Sequence, residues 1–214
     1  MKMRGAGVLA AAVLVVAWAE VCTAYPRDMT EKGQEQFAVK EMAPHKVVSA
    51  GVDYEVREYE AAAWACTEQE GSTQMKEKLM KMFVALAQYL QGENSLGVDL
   101  KMAGPVTTYK EKSQEGGLRM QMCFYVPSEH QANPPEPTVE GVTVIRKGKM
   151  KVAARAFVAV EKSMEEWEAG KLALQKALTD DGVKNINFDN YYGAMYKPPG
   201  MKERVTEVWY EMKE

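Results

Sequence analysis

Residues 52–92 read VDYEVREYEAAAWACTEQEGSTQMKEKLMKMFVALAQYLQG, and two periods meet inside them. From Tyr54 to Tyr59 apolar and charged side chains alternate, the period of a half-buried strand, and Ala62 to Thr67, carrying Trp64, reads as a second strand. After Gly71 the period changes. Met75, Leu79, Met82, Phe83, Leu86 and Leu90 recur at helical spacing and make one apolar stripe, while Lys76, Glu77, Lys78 and Lys81 fall largely on the other side. Ser72 or Thr73 is placed to cap this helix and Gly92 to end it.

Working outward, two strands follow, Leu100 to Lys110 and Leu118 to Val126, across a Gly116-Gly117 turn. The Pro-rich stretch 133–137 is a stiff connector. The same order then recurs. Val142 to Ile145 and Lys151 to Val160 read as strands, and Ser163 to Leu178 as a helix with Ser163 and Glu166 set as a capping box and Asp181-Gly182 as its stop. Tyr191 to Tyr196 and Arg204 to Met212 supply two more strands, separated by Lys197-Pro198-Pro199-Gly200. A strand–strand–helix–strand–strand unit thus occurs twice at an offset of roughly 90 residues. The predicted fold class is α+β: a pseudo-symmetric, distorted eight-stranded antiparallel β-barrel with two helices packed against it.

The amino terminus reads as a targeting segment. Lys2 and Arg4 precede an uncharged run, Val8 to Ala17, which is too short to span a bilayer and suits the apolar core of a secretory signal. Cleavage is expected after Ala24, or after Ala19, and residues 25–50 are expected to be a polar, poorly ordered lead-in. No second apolar run approaches the length of a membrane span. With 27 basic and 30 acidic residues interspersed, the net charge is −3, and the absence of a basic block argues against nucleic acid as a partner. A secretory compartment permits a Cys66–Cys123 disulfide. The apolar, strand-like surroundings of both residues equally suit two free cysteines packed as small hydrophobes.

No catalytic constellation is visible. The two histidines, His45 and His130, stand in Pro-rich or polar stretches, poor settings for the base of a Ser or Cys nucleophile. There is no G-x-G-x-x-G, no P-loop, no C-x-x-C pair and no zinc-ligand spacing. Methionine is abundant at 15 residues, and Met75, Met80, Met82, Met102, Met120 and Met122 gather around the first helix and its neighbouring strands. Such flexible, polarisable side chains suit either a core or a surface that receives an apolar aromatic guest.

Several short motifs, in order, resemble the SOUL/haem-binding protein family. Tyr54-Glu55-Val56-Arg57-Glu58-Tyr59 followed by Ala63-Trp64 is similar to its opening strand pair, and Met102-Ala103-Gly104-Pro105-Val106-Thr107 to its Met-Thr-Ala-Pro-Val-Thr signature. Phe124-Tyr125-Val126-Pro127-Ser128 with Pro134-Pro135, and Tyr192-Gly193-Ala194-Met195-Tyr196 with Pro198-Pro199 and Glu207-Val208-Trp209, extend the likeness over residues 52–213. The resemblance implies a haem-binding domain at 51–214, which follows the signal read from residues 1–24. Its expected activity is non-catalytic, non-covalent carriage or buffering of haem or another porphyrin outside the cell.

The family's ligand groove, carried onto this chain, comprises Met80, Phe83, Val84 and Ala87 on the first helix, with Lys202 as the propionate partner. Glu58 stands where the SOUL branch has a proposed axial histidine, so the iron ligand is left unassigned. Thr206 replaces an asparagine usual before Glu-Val-Trp. A second implied role is a protein-interaction module that has lost haem binding and has a protein partner of unassigned identity. In one branch of the family that role uses the helix matching 163–178, which here presents Met164, Trp167, Leu174 and Leu178, interrupted by Lys171.

Overall fold

The structure is a computed structural model that describes residues 38–71, 73, 75–112, 117–160, 164–197 and 203–213. In chain order the elements are β1 (Glu41–Met42), β2 (His45–Ala50), β3 (Glu55–Tyr59), β4 (Ala62–Glu70), α1 (Met75–Leu90), β5 (Ala103–Gly104), β6 (Val106–Lys112) and β7 (Leu118–Tyr125). A short 3₁₀ turn, Ser128–His130, precedes β8 (Val142–Lys147), β9 (Met150–Val160), α2 (Met164–Asp180), β10 (Tyr191–Met195) and β11 (Glu203–Glu211). The expected signal segment and the caps Ser72 and Ser163 lie outside the described residues.

The duplication is written into the strand order. One antiparallel sheet runs β2-β3-β9-β11-β10-β6-β7-β4-β8. From the central pair β6–β10 outward, the order is β7, β4, β8 on one side and β11, β9, β3 on the other. Each side is therefore third, fourth and second strand of one repeat, closed by the first strand of the other. β2 adds a ninth strand at one edge.

The connections force this sheet to curl. Glu60-Ala61 joins β3 to β4, and Gly148-Lys149 joins β8 to β9, yet each joined pair stands six places apart in the sheet. In a flat sheet six places span about 29 Å, whereas a two-residue link reaches only about 10 Å. The edges must approach each other, giving a half-barrel.

Each face then acquires its own core. Ala63, Ala65, Met120, Met122 and Phe124 meet α1; Val56, Ala153, Val208 and Tyr210 meet α2. The opposite face carries no helix among the described residues, yet Trp64, Cys123, Tyr125, Val152, Ala194 and Trp209 on it are buried, because the curled sheet closes over them. No helix among the described residues is long and apolar enough to cross a membrane.

Three readings change. The lead-in expected at 25–50 supplies β1, which pairs in parallel with β5, and β2, which pairs with β3. Leu100–Lys110 is interrupted at Pro105, which has no N–H to donate, so pairing restarts at Val106 as β6. Cys66 and Cys123 are bridged: they face each other across the β4–β7 ladder with Cα atoms 4.1 Å apart. That juxtaposition is set by strand register and is invisible in the local apolar pattern.

Candidate functional site

Helix α1 packs across β4, β7 and β8. Gly92, at φ +96°, takes the left-handed conformation that ends the helix. The core stripe is sealed: Met82, Leu86, Tyr89 and Leu90 are buried, and the Tyr89 hydroxyl donates to the Pro135 carbonyl at 3.0 Å. The expected groove residues divide around this stripe. Phe83, 8% exposed, sets its ring edge-on to Phe124 with centroids 5.5 Å apart, and Ala87 is 1% exposed. Met80 and Val84 are half-buried on the flank. A guest on this flank would touch Met80 and Val84, with Phe83 and Ala87 supporting them from the core.

Met195, at the end of β10, packs against the α1 cluster, and Lys197 follows two residues later, exposed. Lys202 lies outside the described residues. Sequence reasoning did not single out Met195 as a site residue; its pairing with Val106 brings it to the α1 cluster.

Glu58 sits on β3, in the ladder between β2 and β9. Its register partners are Lys46 on β2 and Lys151 on β9, so it belongs to a row of alternating charges. Tyr59, the next residue, points to the other face, where its ring stacks between His45 at 4.8 Å and Trp209 at 5.0 Å. Thr206 is buried, and its hydroxyl donates to the Phe157 carbonyl at 3.3 Å. No cluster of three or more His, Cys, Asp or Glu suited to a metal occurs among the described residues.

The interior face of the curled sheet holds charge as well as rings. Arg57 donates from both terminal nitrogens to Glu207 at 2.9 and 3.0 Å, and Tyr196 and Trp209 donate to the same carboxylate. Burial alone would pull Arg57 down, but its hydrogen bonds and charge contact with Glu207 push it up. Burial pushes Tyr196 well up, and the adjacent Glu207 adds to this. Lys147 reaches between Trp64 and Tyr192, 5.5 and 5.6 Å from their centroids, and burial holds its ammonium down at about 8. The donors of Glu207 are all accounted for, so this cluster is a structural clasp between β3, β10 and β11.

The stripe expected on α2 is spent on the core. Leu174 and Leu178 are fully buried, and Trp167 packs edge-on against Phe157 at 5.2 Å. The side chain of Met164 lies outside the described residues. An α2 docking face built from these leucines would require the helix to leave the sheet.

The comparisons agree with this architecture. The curated protein "Heme-binding protein 2" of Homo sapiens is 32% identical over 159 residues, which cover 73% of this chain and 76% of that one. "Heme-binding protein 1" of Sus scrofa is 28% identical over 181 residues, covering 81% and 93%. Among solved structures, the EcmrR C-terminal domain superposes with a TM-score of 0.52 at 9% identity, covering 75% of this chain and 97% of that one, a likeness of fold. The profile described as "SOUL heme-binding protein" matches residues 40–211, and the chain belongs to that family.

Proposed function

We propose that this protein binds haem or a related porphyrin non-covalently on the flank of α1 and acts as a carrier or buffer, without catalysis. Family membership, together with the half-buried apolar pair Met80 and Val84 beside the sealed core, carries the reading. The fit is chemical. A flat macrocycle gains dispersion contact from methionine and valine, and its propionates need a cation, the role that the family resemblance gives to Lys202. Haem, when bound, supplies a redox-capable iron centre; the chain's own residues hold the macrocycle, screen one face from water and neutralise its carboxylates.

An extracellular address is part of the proposal. The signal-like run Val8–Ala17 and the Cys66–Cys123 bridge both support an oxidising compartment. Hemin titrated into the purified protein should give a saturable, near-stoichiometric Soret change with quenching of tryptophan emission at micromolar concentration. A linear, unsaturable response would remove the reading. Fractionation of expressing cells tests the address: the chain should appear in the medium, shortened at its amino terminus.

A further inference from the structure

Strand β8 alternates between two cores. Val142 and Val144 pack against the α1 cluster, Ile145 against the interior cluster, and Lys147 follows Ile145 on the interior side. Its partner across the ladder is Ala62 of β4, and its ammonium reaches over Trp64 and Tyr192, 5.5 and 5.6 Å from the ring centroids. Arg146, between them, is exposed and donates to the carbonyls of Gln131 and Ala132.

At the repeat offset of roughly 90 residues Lys147 corresponds to Arg57 of β3. There the guanidinium is paired to Glu207 at 2.9 Å. Lys147 makes no hydrogen bond or ion pair among the described residues. Its neighbours are two aromatic faces, and the Glu211 carboxylate acts on it from beyond ion-pair distance. The amine is nevertheless within reach of solvent. Lys147 is half-buried, and the unpartnered polar atoms sealed from water among the described residues belong to Tyr59, Thr107, Thr108, Arg155 and Tyr210.

An ammonium held between rings loses hydration that the aromatic faces only partly replace. Burial holds Lys147 down at about 8, with Glu211 opposing, while burial pushes the neighbouring Tyr192 phenol up and keeps it neutral. At pH 7 about one Lys147 in ten is then the free amine, against roughly one in three thousand for an ordinary lysine. Other lysines offer less. Lys149, two residues along, is exposed and paired to Glu60 at 3.2 Å, which pushes it up. Lys110, also pulled down by burial, is only 8% exposed, with Glu168 opposing the shift.

We propose that Lys147 is a covalent capture site for a small aldehyde. The amine lone pair attacks the carbonyl carbon and forms a C–N bond. Both amine protons then leave with the carbonyl oxygen as water, and a neutral C=N bond remains. The step needs only that a carbonyl carbon reach Nζ. Lys147 lies on the face of the sheet opposite α1, so this chemistry does not depend on the porphyrin reading.

The test is limited labelling of the full protein with benzaldehyde and sodium cyanoborohydride at pH 7.0. Hydride from the reductant adds to the imine carbon and fixes the adduct as a benzylamine, and peptide mapping by mass spectrometry reads each lysine. The α-amino group, which also reacts at this pH, is resolved as its own peptide. Lys147 should be labelled at least tenfold faster than the exposed Lys149 and Lys197, and this lead should vanish in guanidinium chloride. Its rate should level off above about pH 8, whereas ordinary lysines keep gaining up to about pH 10. Labelling of Lys147 no faster than of Lys149 and Lys197, or a lead that survives unfolding, overturns the proposal. Lys147→Met should lose the fast-labelled lysine and leave the rate at Lys149 unchanged; an equally fast lysine adduct in that variant overturns it as well. Should the variant fail to fold, the wild-type map decides.

Discussion

Two half-buried cations in the barrel interior illustrate what single residues contribute. Arg57 is matched to Glu207 in a bidentate pair, and Tyr196 and Trp209 fill the rest of that carboxylate. Arg57→Ala would strand the buried carboxylate and should cost about 3–5 kcal/mol in urea denaturation. A loss below about 1 kcal/mol would mean that water replaces the guanidinium. Lys147 has no such match. Its folded value of about 8 lies below the ordinary lysine value, so between these two the unfolded chain binds more protons and stability rises with pH. Below pH 8 the full cost of burying the charge is felt. Lys147→Met should therefore be more stable than wild type at pH 7 by about 1–3 kcal/mol, a gap that shrinks as pH rises towards 10. Urea midpoints at pH 7.0 and 9.5 check this, and an equal gap at both contradicts it.

Elements convert such residues into a scaffold. The Cys66–Cys123 bridge ties β4 to β7 across a separation of 57 residues. Loop entropy alone gives such a bridge a contribution of about 4 kcal/mol, so the double replacement by alanine should lower stability by about 2–4 kcal/mol. Thermal melts with and without reductant should show the same difference. Helix α1 separates support from recognition on adjacent residues. Phe83→Ala opens a cavity against Phe124 and should cost about 3–5 kcal/mol. Val84→Glu, on the half-buried flank, should cost less than about 1 kcal/mol and weaken hemin about tenfold. A Val84→Glu protein that binds hemin normally would move the ligand off this flank.

At the scale of the molecule the two repeats exchange their first strands, β3 pairing with β9 and β8 with β4. Neither half owns a complete sheet. Unfolding should therefore be one transition, coincident by far-ultraviolet circular dichroism and tryptophan fluorescence. Residues 36–134 and 135–214 expressed apart should not fold, whereas together they should reconstitute the native spectrum. Two separated transitions in the intact chain would show that the halves are independent.

Local pattern reached a good part of this architecture. The alternation of Tyr54–Tyr59, the stripe Met75–Leu90 and their recurrence after Val142 determined the element order, the duplication and the barrel class, because one buried face leaves a period that can be read without knowing what covers it. β2 was not legible for the converse reason: both Val47 and Val48 are exposed, a bulge falls between Val47 and Ser49, and the strand is held by backbone pairing at the sheet edge. Likewise, apolar surroundings could not decide between free and bridged cysteines, since that depends on the register of β4 against β7. Only the tertiary structure joined Arg57 to Glu207 over 150 residues and separated Phe83 and Ala87 from Met80 and Val84. Periodicity records which side of an element is buried, whereas the identity of the neighbour is set by chain segments far away in sequence.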